Sequence, residues 1–132
     1  MQKKYLAKII ATDKDGLQMI SACSAGAKVR VEDIKYLASN KVFLISFVRT
    51  KIETGREDKN INSICRFDFV DKVRSKNIDQ NDEKLVLDLV AIDYMKHDKD
   101  YEINLIFNNN AHIVLSTEAI EVRLEDQNEI KN

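Results

Sequence analysis

The sequence predicts a single α+β domain over residues 1–132, in which a mostly antiparallel, bent sheet carries an N-terminal and a C-terminal helix. Three observations favour this class. One early segment has helical periodicity, several later segments alternate apolar and polar residues, and 132 residues suffice for one core. The sheet could form a half-open barrel of pleckstrin-like type, an architecture that hosts many functions.

The first elements are predicted to be a strand and a helix. The stretch YLAKIIA, residues 5–11, has the composition of a strand. Thr12 or Asp13 is placed to cap the following helix, and Asp15 suits its first turn. The apolar face of this helix is expected to contain Leu17, Ile20 and Ser24, widened by Met19 and Cys23.

Strands are predicted to dominate the middle of the chain. KVRVEDIKYL (28–37) and KVFLISFVR (41–49) flank a hairpin tip. The charged segment of about 50–60 contains a glycine and is expected to be an exposed, mobile loop. The alternation in SICRFDFV then predicts three inward side chains: Cys65, Phe67 and Phe69.

The segment KLVLDLVAIDYM, residues 84–95, is the most apolar stretch. Residues at both odd and even positions of this segment are mostly apolar, and Asp88 and Asp93 interrupt the pattern. We therefore expect a central strand with both faces at least partly covered.

The stretch IFNNNAHIVL is predicted to be a hairpin turn, not a polar site. A three-residue loop, 108–110, sets Leu105 opposite Ile113 and Ile103 opposite Leu115, so apolar residues pair on one face. A two-residue loop pairs them less well. The last asparagine of the loop suits the left-handed position that glycine commonly occupies.

The segment STEAIEVRLEDQ, residues 116–127, fits two structures. Ile120, Val122 and Leu124 alternate with charged residues as in a strand, yet Ile120 and Leu124 also fit one helix face. We favour a helix packed across the sheet, followed by a frayed tail at about 128–132.

The overall charge argues against nucleic acid and membrane as partners. The chain has 21 basic and 22 acidic residues, so it lacks the basic excess that displaces counterions from phosphates. No run of apolar residues is long enough to cross a bilayer, and no export signal is recognisable. A cytoplasmic location with free thiols is expected. Three cations share one predicted solvated strand face: Lys72, Arg74 and Lys76.

No catalytic residues, metal site or cofactor are predicted. His97 lies in the charged turn KHDKD, and His112 follows the asparagine hairpin. Cys23 and Cys65 have the positions of small buried hydrophobes. The acidic stretch DQNDE, residues 79–83, lacks the glycine and the final glutamate of a calcium loop.

Asp88 and Asp93 are candidate ligand-binding residues because an acid on an apolar strand is costly unless exposed, paired or hydrogen-bonded. Residues that depart from the expected apolar pattern in this way tend to mark functional surfaces. The alternative is a solvated face, with Asp88 meeting Arg66 or Lys72. Arg66 and Arg74 are a second pair of candidates for a small anionic ligand.

The segments FDFVDKVRSKNIDQNDEKLVLDLVAIDY and INLIFNNNAHIVLSTEAIEVRLED resemble a small bacterial family catalogued only as a domain of unknown function, number 2948. The family's hairpin glycines are replaced here by Asn108 to Asn110. The resemblance implies the domain boundary and no catalytic residues. Matching positions are Phe67, Val70, Val73, Arg74, Ile78, Asp79, Leu87, Leu89, Ala91, Ile92, Leu105, Phe107, Ile113, Leu115, Ile120, Glu121, Leu124 and Asp126.

Two functional hypotheses follow. The first is a non-catalytic cytoplasmic domain that binds a protein partner or self-associates into a homo-oligomer, because the sheet has more apolar positions than one helix covers. The alternative is a small anionic ligand binder or minor enzyme that uses the Asp88/Asp93 or the Arg66/Arg74 strand face.

Overall fold

The fold is an antiparallel sheet with one helix, in a computed structural model that describes residues 7–51 and 59–129. Two short 3-10 turns, Val31–Asp33 and Ala38–Asn40, precede β3 and β4. The elements in chain order are β1 (Lys8–Ala11), α1 (Lys14–Ser24), β2 (Lys28–Arg30), β3 (Ile34–Leu37), β4 (Val42–Lys51), β5 (Lys59–Phe67), β6 (Val70–Lys76), β7 (Val86–His97), β8 (Asp100–Phe107), β9 (His112–Thr117) and β10 (Val122–Glu129).

The ten described strands form one sheet in the order β1-β10-β5-β4-β2-β7-β8-β9-β6, and β3 pairs with β4 beside this path. Every pairing is antiparallel. The predicted α+β class with a mostly antiparallel sheet is therefore confirmed. The predicted strand 28–37 is divided, because a helical turn at Val31–Asp33 separates β2 from β3.

Alternation along the strands places apolar side chains on one inner face. Phe43 of β4 and Phe67 of β5 meet edge to face, with ring centroids 5.9 Å apart. Helix α1 packs against β1 and β7, and buries Leu17 and Ile20. Asp13 caps this helix by accepting the Gly16 N–H at 2.8 Å. The apolar face of α1 is narrower than predicted, because Met19 is 57% exposed and does not belong to it.

The asparagine hairpin has the predicted register. Leu105 pairs with Ile113, and Ile103 pairs with Leu115. Asn109 and Asn110 both have φ of 59°, the left-handed conformation that asparagine tolerates. The Phe107 N–H closes the loop by donating to the Ala111 carbonyl at 2.9 Å. The expectation of a turn is thus confirmed.

The predicted C-terminal helix is wrong: Val122–Glu129 is strand β10. It pairs with β1 on one side and with β5 on the other, and Val122 and Leu124 are fully buried. The two neighbouring strands, which are distant in the sequence, supply the hydrogen bonds that make this segment a strand. The sequence of the segment alone does not reveal these partners. The frayed tail expected at about 128–132 therefore overlaps the end of β10, because Asn128 pairs with Asn62 inside the sheet.

The expected loop of about 50–60 overlaps two strands. Thr50 pairs with Asn60 and Lys51 with Lys59, so both ends of the segment belong to the β4–β5 ladder. Residues 52–58 lie outside the described part of the chain.

Strand β7 is not covered on both faces, contrary to expectation. Its register to β8 shifts between Leu89 and Ala91, where a β-bulge adds one residue. The inward side chains change parity there, from Leu87 and Leu89 to Ile92. One face is consequently solvated, and Val90 is 53% exposed. This bulge explains why apolar residues occupy both parities of the sequence.

Helix α1 supplies a hydrogen-bond partner beyond this bulge. Strand β2 pairs with β7 only as far as Asp88, so the next part of that β7 edge lacks a strand partner. The Ser21 hydroxyl accepts the Ile92 N–H at 2.9 Å. The helix thus satisfies a backbone donor that the sheet leaves unpaired.

A buried ion pair joins four strands at one end of the inner face. Arg49 of β4 and Asp126 of β10 are 6% and 8% exposed. Arg49 Nε and Nη2 donate to the two carboxylate oxygens of Asp126 at 2.8 and 2.6 Å. Ser63 of β5 donates its hydroxyl at 2.7 Å, and the Ala7 N–H, next to β1, donates at 2.8 Å. Both carboxylate oxygens are therefore satisfied.

Breaking this pair is expected to destabilise the fold strongly. Asp126→Asn leaves the Arg49 charge buried without its counterion, which should lower the free energy of unfolding in urea by about 3–5 kcal/mol. The double variant Arg49→Met with Asp126→Leu should lose much less, because neither charge remains.

The exposed pair Lys8–Glu125, 3.4 Å apart on adjacent strands, provides a matched control. Glu125→Gln should cost less than about 1 kcal/mol. Equal losses for Glu125→Gln and Asp126→Asn would contradict the role given to the buried pair.

Stability should also fall in acid through Asp126. Burial by itself would raise the pKa of this carboxyl, but hydrogen bonds from Arg49, Ser63 and Ala7 hold the pKa below its ordinary value of 3.8. A lowered folded-state pKa gives stability that is fully present above about 3.8 and is lost as the pH falls through the folded-state value. Urea unfolding below about pH 4 should therefore show a steeper loss for the natural chain than for the Arg49→Met, Asp126→Leu variant. Parallel pH profiles would refute this assignment.

Candidate functional site

The two edge strands β3 and β6 converge at one point and leave a gap beyond it. The Val70 N–H donates to the Lys41 carbonyl at 2.8 Å, and the Tyr36 hydroxyl donates to the Val70 carbonyl at 2.8 Å. Past this closed end no strand pairing joins β3 to β6 in the described chain. We call the gap the edge cleft. Its lining consists of Val31, Ile34, Tyr36, Phe43, Val73, Ser75, Ile78, Gln80 and Ile113.

The edge cleft opens onto the apolar core. Its volume is about 400 Å³, within the range of pockets that hold ligands. Phe43 and Ile113, both almost fully buried, lie at its base. Val73 and Ser75 of β6 share the inward parity, because they pair with the buried residues Leu115 and Ile113 of β9. The cleft is therefore a break in the sheet through which the hydrophobic interior reaches solvent.

Three polar side chains, Tyr36, Ser75 and Gln80, line this cleft, and each takes part in a hydrogen bond. The Gln80 amide donates to the Ser75 hydroxyl at 2.7 Å, and the Tyr36 hydroxyl is held by Val70. The lining includes no carboxylate, histidine or cysteine. This composition suits binding of an apolar group and does not provide a general acid, a general base or a metal ligand.

The closed end of the cleft has an unusual backbone. Lys41 and Phe69 have φ of 57° and 59°, a conformation that is uncommon for a bulky aromatic residue. The ammonium of Lys41 binds Asp71 at 3.0 Å and Glu118 at 3.3 Å. Phe69 is 44% exposed, so its predicted inward position is wrong. Its backbone conformation ends the alternation of β5 and lets the chain reverse into β6.

Asp88 and Asp93 both lie on the solvated face of β7 because the bulge between them shifts the parity. Asp88 forms an ion pair with Lys28 of β2 and accepts the Asn108 amide at 3.4 Å. The expected partners of Asp88, Arg66 and Lys72, are replaced by Lys28, its cross-strand neighbour. Asp93 accepts the Tyr94 N–H at 2.8 Å.

Arg66 and Arg74 lie on different strands, and each has its own acid. Arg66 binds Asp68 at 3.0 Å, and Arg74 binds Glu102 at 3.1 Å. No hydrogen bond or ion pair within residues 7–51 and 59–129 joins any two of the four candidate residues. The use of Asp88 with Asp93, or of Arg66 with Arg74, to bind a ligand stays a prediction from the sequence.

A second hollow lies on the outer face where β2, β4 and β5 meet, with a volume of about 600 Å³. Its lining includes the cations Lys28 and Arg30. Lys28 is paired with Asp88, and Arg30 is paired with Glu32 and Asp33 at 2.9 and 3.0 Å. Because these cations already have acidic partners, the hollow is a weak candidate for an anionic ligand.

The thiols and histidines are not assembled into a reactive centre. Cys65 is fully buried, and burial raises the pKa of its thiol well above the ordinary value, so thiolate is suppressed. Cys23 is partly buried against the core. His97 is exposed and lies 3.4 Å from Glu102. Within the part of the chain that the structure covers, no three His, Cys, Asp or Glu residues are grouped to hold a metal ion.

The edge cleft was not predicted from the sequence, although strands were predicted on both sides of it. Tyr36 and Val73 are separated by more than thirty positions, and each has an ordinary strand environment in its own segment. The alternating cations of β6 were identified from the sequence but were not connected with a free strand edge, where such cations are common.

Comparison with known proteins gives a family. A model described as "Protein of unknown function (DUF2948)" matches residues 7–132. No curated protein and no solved structure matches the chain. Helix α1 has eleven residues. No helix within residues 7–51 and 59–129 is long and apolar enough to cross a membrane. These results assign no role to individual residues.

The solvated position of Asp88 predicts a small structural contribution. Asp88→Ala removes an ion pair with Lys28 in which both side chains are substantially exposed. The free energy of unfolding in urea should change by less than about 1 kcal/mol, as is usual for pairs of this kind. A loss close to that of Asp126→Asn would show that Asp88 is embedded in the fold more deeply than its exposure indicates.

Proposed function

The chain belongs to the DUF2948 family of proteins of unknown function, and from its geometry we propose a non-catalytic domain that binds an extended segment of a partner protein in the edge cleft. The partner segment adds a strand to β6 or β3 and places an apolar side chain between them. This is strand addition, in which backbone hydrogen bonds supply affinity and a side-chain pocket supplies specificity.

The observation that carries this proposal is the apolar gap between two sheet edges. An unpaired strand edge presents backbone N–H and C=O groups that another chain can bond. Along the cleft, β6 has one backbone hydrogen bond to the β3–β4 turn, from Val70 to Lys41, within the described residues. Beyond Val70, therefore, strand β6 presents an edge next to a 400 Å³ apolar pocket.

The composition of the lining favours binding over catalysis. A catalytic site needs a nucleophile, a general acid or base, or a metal positioned on a reacting group. The hydroxyls of Tyr36 and Ser75 are hydrogen-bonded to Val70 and Gln80 instead. An aliphatic or aromatic side chain would fill the space above Phe43 and Ile113 without requiring such chemistry.

Three broader features belong to the same proposal. The sheet is a half-open roll of pleckstrin-like type, and the edge cleft is its opening. The protein is bacterial and works in the cytoplasm, where the free thiols of Cys23 and Cys65 would stay reduced. Its partner is a protein; nucleic acid and membrane are not its targets, in keeping with a formal net charge of -1.

Selection of short random peptides against the full chain tests this function. Ser75 is exposed at the cleft, so Ser75→Trp should fill it without unfolding the domain. Selected peptides should lose at least about tenfold in affinity, equivalent to about 1.4 kcal/mol, for this variant. Lys96→Trp on β7 adds the same side chain at an exposed position outside the cleft and should bind normally.

Backbone methylation of a selected peptide tests the binding mode. N-methyl groups at alternate positions remove the donors that face the strand edge, so one methylation register should abolish binding while the other retains it. Equal affinity of both registers would exclude strand addition. Peptides that bind natural, Ser75→Trp and Lys96→Trp chains alike would place the binding surface elsewhere.

A further inference from the structure

Cations line the outer side of the edge cleft on both strands. Lys72, Arg74 and Lys76 are exposed along β6, and Lys35 is exposed on β3. They alternate with residues that face the cleft: Val73 and Ser75 on β6, and Ile34 and Tyr36 on β3. Each strand is therefore apolar or neutral towards the cleft and basic towards solvent.

Three of these cations have no partner in the described part of the chain. Arg74 is bound to Glu102, whereas the side chains of Lys35, Lys72 and Lys76 form no ion pair or hydrogen bond there. On β6 itself Asp71 binds Lys41, and in the following turn Asp79 and Asp82 accept backbone N–H groups at 3.0 and 3.1 Å. The outer side of the cleft thus has three ammonium groups without an ion-pair partner among the described residues.

A strand added to β6 would continue its alternation. Its side chains would point in turn towards the cleft and towards solvent, and those on the solvent side would lie beside Lys72, Arg74 and Lys76. Opposite charges at such cross-strand positions stabilise a pair of strands, and like charges destabilise it.

We propose that the partner segment is an acidic amphipathic strand, with apolar residues towards the edge cleft and Asp or Glu residues beside Lys72 and Lys76. This inference rests on the proposed function and names the chemistry of its partner. The carboxylates would meet the two unpaired ammonium groups of β6, and that of Lys35 if they extend across to β3.

The same charges argue against a second copy of this chain as the occupant. Pairing of two β6 edges would bring Lys72, Arg74 and Lys76 of one copy against the same cations of the other. Lysines on an edge strand are a common means of preventing such association. An acidic segment removes this repulsion, whereas a second β6 strand increases it.

Three synthetic peptides of about six residues, the usual length of a strand, provide the test. Each alternates valine with one other residue, which is glutamate, serine or lysine. Binding to the full chain is measured by fluorescence anisotropy at low and high salt. The glutamate peptide should bind about tenfold more tightly than the serine peptide, and the lysine peptide more weakly than either. The difference should shrink as salt is added.

Charge reversal on the protein provides the reciprocal measurement. Lys72→Glu with Lys76→Glu should reverse the order, so that the lysine peptide binds best. Lys96→Glu with Lys99→Glu makes the same change in net charge at exposed positions outside the cleft and should leave the preference for glutamate intact. Circular dichroism of each variant verifies that it is folded.

The outcomes separate this inference from the function on which it rests. Equal binding of the three peptides, lost in Ser75→Trp, would overturn the acidic partner and retain the peptide cleft. Absence of binding by all three and by a selected peptide library would overturn both. Binding to anionic lipid vesicles that is lost on reversal of Lys72 and Lys76, without any peptide preference, would assign these cations to a membrane surface and also overturn the inference.

Discussion

The bond between Arg49 and Asp126 is the contact on which one half of the sheet depends. Two opposite charges buried on the inner face link β4 to β10, and Ser63 and the Ala7 N–H add β5 and the start of β1. Arg49, Asp126 and Ser63 are all buried, so the loss of one partner would leave the others with an unsatisfied polar group. The strand that this network holds, β4, also carries β3, one side of the edge cleft.

Sequence reasoning succeeded where the information is local. The 108–110 hairpin follows from the pairing of apolar residues on both sides of it, and the helix cap at Asp13 follows from one side chain. Sequence reasoning failed where pairing with a strand distant in the sequence determines the local structure. Residues 122–129 are a strand because β1 and β5 pair with them, and the two parities of β7 are reconciled by a bulge that only its register with β8 reveals.

The candidate site could be predicted only in part, for the same reason. The solvated basic face of Lys72, Arg74 and Lys76 followed correctly from alternation. The cleft beside it could not, since it exists between two strands that do not pair and are remote in sequence. Asp88 attracted attention as an acid in an apolar segment, yet its cross-strand neighbour Lys28 compensates it.

The pairing of β1 with β10 has a consequence for biosynthesis. Ala7 and Asp126 are 119 positions apart and bond to each other through both backbone and side chain. During translation, β1 leaves the ribosome long before its partner β10 has been made. Until then, the backbone N–H and C=O groups that bond to β10 have no strand partner. Helix α1, which directly follows β1 in the chain and packs against it, is made long before β10 and can shield that strand from premature association.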